Sequence, residues 1–362
     1  MKTYFNVDQA NGARMTYLKN SWYMIAWSAD VADGLLARTA LDVPLVLFRR
    51  PGDGGLVALH DRCPHRFAPL SRGHLAGDHI RCGYHGLEFD SAGQCRASYF
   101  SNAVPAAARV RSFPIAERDN AIWVWMGDPE RADPALVPHL PFQADPGMRV
   151  VFGHTVARAN YQLYNDNLLD LTHATFLHTT IGGPEWRPRF RSWEEDGGVC
   201  CDYVVEDMAG LHGAEARVKA RDIIKWKAPG THVLTIDHTP LDDASLPFFL
   251  ISAHVLTPET EGSTHYFWSG AIDSAMPIEE PQMRAILTTA FDLEDKPMIE
   301  AIQQRMGGAE FWSLDPILLG ADAGSVRARR ILQRLINEEA ASAEAAIARS
   351  PAESLTELCG AD

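Results

Sequence analysis

Between Trp22 and about Pro129, apolar positions come in short runs of β-branched and aromatic residues broken by turn residues, as in PLVLFRRPGDGGLVALHD and RSFPIAERDNAIWVWMGD. Runs of this kind, punctuated by Gly, Pro, Asn and Asp, predict an antiparallel β domain. Two segments interrupt the pattern, CPHRFAPLSRGHL and RCGYHGLEFDSAGQC, and their Gly, Pro, Cys and His content is that of ligand-bearing loops. The stretch GDPERADPALVPHLPF has neither strand nor helix period and predicts a linker over 127–142. Beyond it, strand-like runs such as HVLTID, FFLISAHVLTP and STHYFWSGAID alternate with helical patterns at 164–178, 280–306 and 323–349, an α+β mixture. No internal repeat is present. The Ala- and Glu-rich tail from about 338 is weakly apolar, so its last dozen residues are expected to be mobile.

A length of 362 residues suggests two domains, each with its own core. Composition is that of an ordinary globular protein, 46% hydrophobic, with no apolar run long enough to cross a bilayer. The N-terminus MKTYFNVDQANGARMTY lacks the apolar centre of a secretory signal, which makes the cytoplasm the expected compartment. A formal charge of −14, with no cluster of Lys and Arg to offset it, argues against nucleic acid as a partner.

In a reducing compartment a cysteine beside histidines is a metal ligand before it is half of a disulfide. Of the six cysteines, only Cys63 and Cys82 meet that test; Cys95, Cys200, Cys201 and Cys359 are expected to be small hydrophobes or inert thiols. The chain reads Cys63-Pro-His65 and then Cys82-Gly-Tyr-His85, one Cys and one His on each of two loops. In a Rieske [2Fe-2S] centre two thiolates hold one iron and two imidazoles the other, which lifts the potential to roughly −150 to +300 mV. A Cys2His2 zinc site uses the same atoms but takes both thiolates from one loop and both histidines from a helix, so the split arrangement favours the cluster. Pro64, Gly83 and Gly86 suit loops that wrap closely round it, whereas His74 and His79 lack a cysteine neighbour and are left out.

A second constellation lies in NDNLLDLTHATFLH, where Asn167, Asp170 and His173 fall every third position and would share a helix face. His178 follows five residues after His173, about 140° further round an ideal helix, so both can reach one metal only if the helix distorts or ends there. Two histidines and a carboxylate make the facial triad of non-haem Fe(II) oxygenases, with positions left open for O2 and substrate. The carboxylate is expected in FDLEDKPMIE, where Pro297 would interrupt a helix, and spacing does not choose among Asp292, Glu294 and Asp295. A histidine pair in a helix is by itself more often packing than ligand; an upstream cluster that needs an electron acceptor changes the balance.

With these motifs the chain resembles the Rieske non-haem iron oxygenases, in the branch containing the vanillate and dicamba O-demethylases. The likeness runs from about Lys19 to Leu335 through KNSWY, CPHRFAPLSRG, CGYHGLEFD, DNLLDLTHATFLH, LTPETE, FDLEDKPMIE and DAGSVRARR. It implies an α+β protein: an extension (1–17), a β-type Rieske domain (18–135), a catalytic domain (136–350) built on a central antiparallel sheet flanked by helices, and a tail (351–362). It implies Cys63, His65, Cys82 and His85 as cluster ligands, His173, His178 and Asp295 as iron ligands, and Asp170 as the acid that bridges an iron histidine to a Rieske histidine of the next subunit in a homotrimer. A carboxylate hydrogen-bonded to imidazole N–H groups would orient both rings, while the plainer role is an acid that only fixes His173. Asn167, on the same stretch, is a further candidate for the catalytic machinery.

The implied activity is O2-dependent oxidative O-demethylation of a methoxylated aromatic, in which the methyl carbon is hydroxylated and the hemiacetal collapses to formaldehyde and a phenol. Hydroxylation or N-demethylation of another ring compound is the alternative, since the pocket and not the metals sets the substrate. The chain carries no G-x-G-x-x-G fingerprint or plant-type ferredoxin cysteine run, so NAD(P)H must be oxidised by a separate reductase, with or without a ferredoxin. Residues 181–250 match only loosely, so substrate contacts are expected there. Trp186, Phe248, Phe249, His254 and Trp268 could line an aromatic-binding pocket, with His254 the first choice for hydrogen-bonding a carboxylate or phenol. An electron carrier with one cluster and a zinc-stabilised binding protein are the rivals from other classes.

Overall fold

The computed structural model describes residues 16–100, 103–104, 106–178, 185–210 and 216–349. The expected mobile tail over the last dozen residues, with Cys359, lies outside them. So does most of the extension.

The N-terminal part is built of ten short strands: β1 (Trp22–Trp27), β2 (Leu36–Ala40), β3 (Val43–Arg49), β4 (Leu56–His60), β5 (His74–Ala76), β6 (His79–Arg81), β7 (Glu88–Phe89), β8 (Cys95–Ala97), β9 (Ile115–Arg118) and β10 (Ala121–Trp125). They form three small antiparallel sheets, ordered β1-β10-β9, β2-β3-β4 and β5-β6-β7-β8. The proposed linker carries single 3-10 turns at Pro129–Arg131, Pro134–Leu136 and Pro141–Gln143. Asp128 and Asp133 cap the first two, each ahead of a proline that presets the turn.

Next come β11 (Met148–Ala157), α1 (Tyr161–Leu169), β12 (Arg189–Glu195), β13 (Gly198–Ala209), β14 (Arg217–Lys227), β15 (Thr231–Pro240), β16 (Phe248–Thr260), β17 (Ser263–Asp273), α2 (Glu280–Thr288), α3 (Lys296–Met306) and α4 (Ala323–Arg349). Their strands make one seven-stranded antiparallel sheet, β11-β17-β16-β15-β14-β13-β12. Burial along these strands records what covers them. Towards one side, β14 alternates, with Val218, Ala220, Asp222, Ile224 and Trp226 turned inward and Lys219, Arg221, Ile223 and Lys225 between them. Towards the other side β16 and β17 are buried on both faces. One face of β16 and β17 gives Ala253, Val255, Phe267 and Ala271 to a cluster with Trp22, Met24, Trp123 and Trp125 of the β domain. The other face carries Leu250, Ser252 and His254, and helices cover it.

The predicted helix at 164–178 ends early. α1 stops at Leu169, Asp170 leaves helical geometry (φ −120°, ψ 88°), and a 3-10 turn covers Leu171–Thr175. Asn167, Asp170 and His173 therefore do not share a continuous helix face, and the irregularity expected between His173 and His178 is the end of that 3-10 turn at Thr175. The 280–306 pattern is likewise one helix with a defect, a π-helical turn at Thr289–Asp295 between α2 and α3. Pro297 does not interrupt it, because it sits in the first turn of α3, where its missing N–H is tolerated. No described helix is long and apolar enough to cross a membrane.

Candidate metal centres

The two Cys-His loops are built alike. Cys63 N–H donates to the Ala68 carbonyl (2.9 Å) and Phe67 N–H to the Cys63 carbonyl (2.9 Å); Cys82 N–H donates to Leu87 (2.8 Å) and Gly86 N–H to Cys82 (3.0 Å). The equivalent fifth residues, Phe67 and Gly86, both hold positive φ (61° and 70°). Gly73 and Gly83 let the loops press together: an added Cβ would lie 2.1 Å from the Arg81 carbonyl oxygen and 2.7 Å from that of Arg72. The thiols of Cys63 and Cys82 are buried, while His65 is exposed and His85 half-buried, their rings 4.6 Å apart. Burial, followed by the neighbouring Cys82, raises the Cys63 thiol to about 11 against the pull of backbone N–H groups from His65 and Arg66.

A single tetrahedral zinc would draw all four ligand atoms to within roughly 4 Å of one another. Among the described residues the only group of three or more His, Cys, Asp or Glu with ligand atoms mutually within 4.8 Å is His173, His178 and Asp295. The four loop residues therefore suit a two-iron cluster, thiolates inward and imidazoles at the surface. Cys95, Cys200 and Cys201 are free; burial raises all three thiols, the last to about 12, as befits inert side chains.

The second centre is assembled by the two helix defects. Asp170 is at once the C-cap of α1 and the N-cap of the 3-10 turn, its Oδ1 accepting from Thr172 N–H (2.9 Å) and Thr172 Oγ1 (2.6 Å). Tyr203 OH donates to the Leu169 carbonyl (2.7 Å) and Trp186 Nε1 to Leu171 (3.1 Å), so the broken end stays hydrogen-bonded. Buried Arg329 of α4 clamps Asp166 on α1 through Nε (2.9 and 3.0 Å). On the other side the π turn presents Asp292, Glu294 and Asp295 in three directions. Asp292 accepts from Trp268 Nε1 (3.2 Å), Glu294 Oε2 from His178 Nδ1 (2.9 Å), and Asp295 faces the histidines.

His173 Nε2, His178 Nε2 and Asp295 Oδ1 form a triangle with sides 3.2, 3.5 and 3.4 Å. Three ligands on one octahedral face at about 2.1 Å from a metal would stand roughly 3 Å apart, so the set fits a facial triad without rearrangement. Each imidazole is oriented by its other nitrogen: Nδ1–H of His173 donates to the Asp170 carbonyl (2.5 Å) and Nδ1–H of His178 to Glu294. The Asp170–His173 link is thus made by backbone, not by the carboxylate as expected. Asn167 Nδ2 donates to Asp295 Oδ1 (3.2 Å). Burial opposes protonation of His178, but Asp295 and Glu294 outweigh it and hold that imidazole above its ordinary value.

The triad opens into a partly open cavity walled mainly by Leu168, Leu171, Trp186, Leu234, Ile236, Phe248, Leu250, Ile286, Leu287 and Phe291. Much of this wall comes from the loosely matched 181–250 stretch. Of the expected pocket residues, Trp186, Phe248 and His254 line it; Trp268 is instead buried against Asp292, and Phe249 points to solvent. His254 is fully buried, with Nδ1 2.7 Å from Tyr266 OH and Nε2 2.9 Å from Ser252 Oγ. Burial lowers its pKa to about 4, so it is a neutral imidazole with both nitrogens engaged. Sequence reasoning missed a second polar pair in the wall, Asp222 and His238; the signal was a carboxylate at an inward position of the β14 alternation.

Comparison with known proteins agrees with this geometry. The Rieske [2Fe-2S] domain family matches residues 21–114, and the vanillate O-demethylase oxygenase C-terminal domain family matches 157–338. The chain is 37% identical to the dicamba O-demethylase oxygenase component of Stenotrophomonas maltophilia, over 90% of this chain and 100% of that one. It is 36% identical to the chloroacetanilide N-alkylformylase oxygenase component of Rhizorhabdus wittichii, over 89% and 97%. A crystal structure of dicamba monooxygenase bound to 3,6-dichlorosalicylic acid superposes with a TM-score of 0.83 at 37% identity, covering 90% of this chain and 100% of that one. The chain belongs to the Rieske non-haem iron oxygenases, as an oxygenase component of the vanillate and dicamba O-demethylase branch.

Proposed function

We propose that this enzyme carries out O2-dependent oxidative O-demethylation of a methoxylated aromatic compound, using electrons from a separate reductase. The observation that carries the reading is the His173, His178 and Asp295 triangle opening on a largely apolar cavity. In this assignment Cys63, His65, Cys82 and His85 hold the [2Fe-2S] cluster, and His173, His178 and Asp295 hold Fe(II). Once bound, the cluster relays single electrons and the iron activates O2 for attack on the methyl carbon. The chain's own part is positional. Asp170 and Glu294 fix the two imidazoles, Asn167 steadies Asp295, and the apolar wall excludes water from the reacting carbon.

Electron entry is proposed to come from a neighbouring copy in a head-to-tail homotrimer, with Asp170 as the bridge. In support, Phe67, Tyr84, Tyr99 and Phe100 are exposed around the cluster loops, and Phe176 is 88% exposed beside the triad. The Asp170 carboxylate also keeps Oδ2 without a hydrogen bond from any described residue. Likeness to an N-alkylformylase component favours N-dealkylation as the second reading.

The test is metal analysis followed by turnover. About three irons and two acid-labile sulfides per chain are expected, with a Rieske EPR signal after reduction, no turnover with NADH alone, and formaldehyde release from methoxylated aromatics once a surrogate reductase is added. Zinc without sulfide would overturn the assignment, and two irons after Fe(II) reconstitution would reduce the protein to an electron carrier.

A further inference from the structure

The cavity wall holds a carboxylate and an imidazole that oxidation at the triad does not use. Asp222 of β14 and His238 of β15 are 8% and 3% exposed, and His238 Nε2 lies 3.1 Å from Asp222 Oδ1. Both line the same cavity as the triad. In the tautomer that gives Nε2–H to Asp222, Nδ1 is an acceptor, and it is buried without a partner. The second Asp222 oxygen receives no hydrogen bond from any described residue. The pair thus offers two acceptors to the cavity, and buried acceptors left unmet are costly.

The rest of the wall sharpens the chemistry. No Arg or Lys is among the lining residues, and His254 is neutral with both nitrogens engaged. Nothing at this end compensates an anionic substituent, and the same burial that raises the Asp222 carboxyl against the pull of His238 disfavours a second anion there. Strand register gives the reach. Leu234 pairs with Ser252 and His238 with Phe248, so four residues, about 13 Å, separate the two polar ends along the sheet. The Ser252–His254 end is the triad end, since His254 packs 4.9 Å from Phe291 of the π turn that carries Asp295.

We propose that Asp222 and His238 form a distal recognition site for a hydrogen-bond donor on an elongated, uncharged or cationic aromatic substrate, and that they select against arene carboxylates and sulfonates. This rests on the cavity being the substrate site, as assigned above, but not on which bond is cleaved.

The test uses the full chain with both metal centres loaded, kept anaerobic, and two probes: a methoxybiphenyl with a hydroxyl at its far para position and the same molecule with a carboxylate there. Binding is read by equilibrium dialysis. The wild type is expected to hold the hydroxyl probe at least about tenfold more tightly than the carboxylate. Asp222→Asn and His238→Gln are expected to shrink that ratio to about threefold or less, with iron content and cluster spectrum unchanged. Equal or tighter binding of the carboxylate, no binding of either probe, or an unchanged ratio in a variant that keeps its metals would overturn the proposal. If neither variant folds, the wild-type ratio decides. A hydroxyl probe that binds but releases no formaldehyde would count against O-demethylation and leave the distal site standing.

Discussion

Glu294 should matter to the iron without touching it. Its Oε2 lies 2.9 Å from His178 Nδ1, in a side chain 18% exposed against an imidazole 5% exposed. Truncation in Glu294→Ala removes one charge-assisted, largely desolvated hydrogen bond, worth about 1.5–3 kcal/mol. If that energy is expressed when His178 must present Nε2 to the metal, Fe(II) affinity falls roughly 10- to 100-fold, the range typical of such outer contacts. Glu294→Gln keeps an oxygen to accept from Nδ1–H and should lose less than Glu294→Ala. The assay is anaerobic Fe(II) titration against a competing chelator, with the cluster spectrum as an internal control. Glu294→Ala binding Fe(II) within about threefold of wild type, with the cluster intact, would refute the orienting role.

Three other outcomes are expected. Asp170→Asn should keep both metals yet lose most steady-state activity, and a nearly wild-type rate would remove Asp170 from the electron path. Cys82→Ser should abolish the Rieske EPR signal while the triad still takes up one Fe(II); loss of both metals would mean that the two centres fold as one. Acid stability should reflect His232 and His254, both fully buried, with burial lowering them to about 3 and about 4. Each is neutral when folded but titrates at its ordinary value near 6.5 when unfolded, so stability is full above that value and declines as pH falls towards 4 to 3. The loss by pH 5 is roughly 2 kcal/mol per histidine, and an unfolding free energy flat between pH 7 and 5 would contradict this.

How much of this could be read from the chain depended on whether the signal was local. Cys63, His65, Cys82 and His85 sit on two short loops of like build, so the first candidate centre could be proposed from local spacing alone. The second could be proposed only through its misfit: a spacing of five from His173 to His178 does not suit an ideal helix, and the 3-10 turn that ends at Thr175, between the two, resolves the conflict. Choosing among Asp292, Glu294 and Asp295 was beyond spacing, because a π turn rotates each residue less than an α-helix does and sends three acids to three different partners. The Asp222–His238 pair depended on register between strands, a tertiary quantity; the sequence marked only that an acid stood in an apolar row.

The π turn also acts as a phase shifter. Through its one wide turn, a single run from Glu280 to Met306 presents two differently aimed stripes, Met283, Leu287 and Phe291 towards the cavity side of the sheet and Ile299 towards the core beyond. Drawing the same seven residues into regular α-helix, with none deleted, would turn α2 against α3 by about 100°. Such a chain would have a better helix and a worse enzyme, since the stripe that seals the cavity and the acid that completes the triad could no longer both face inward.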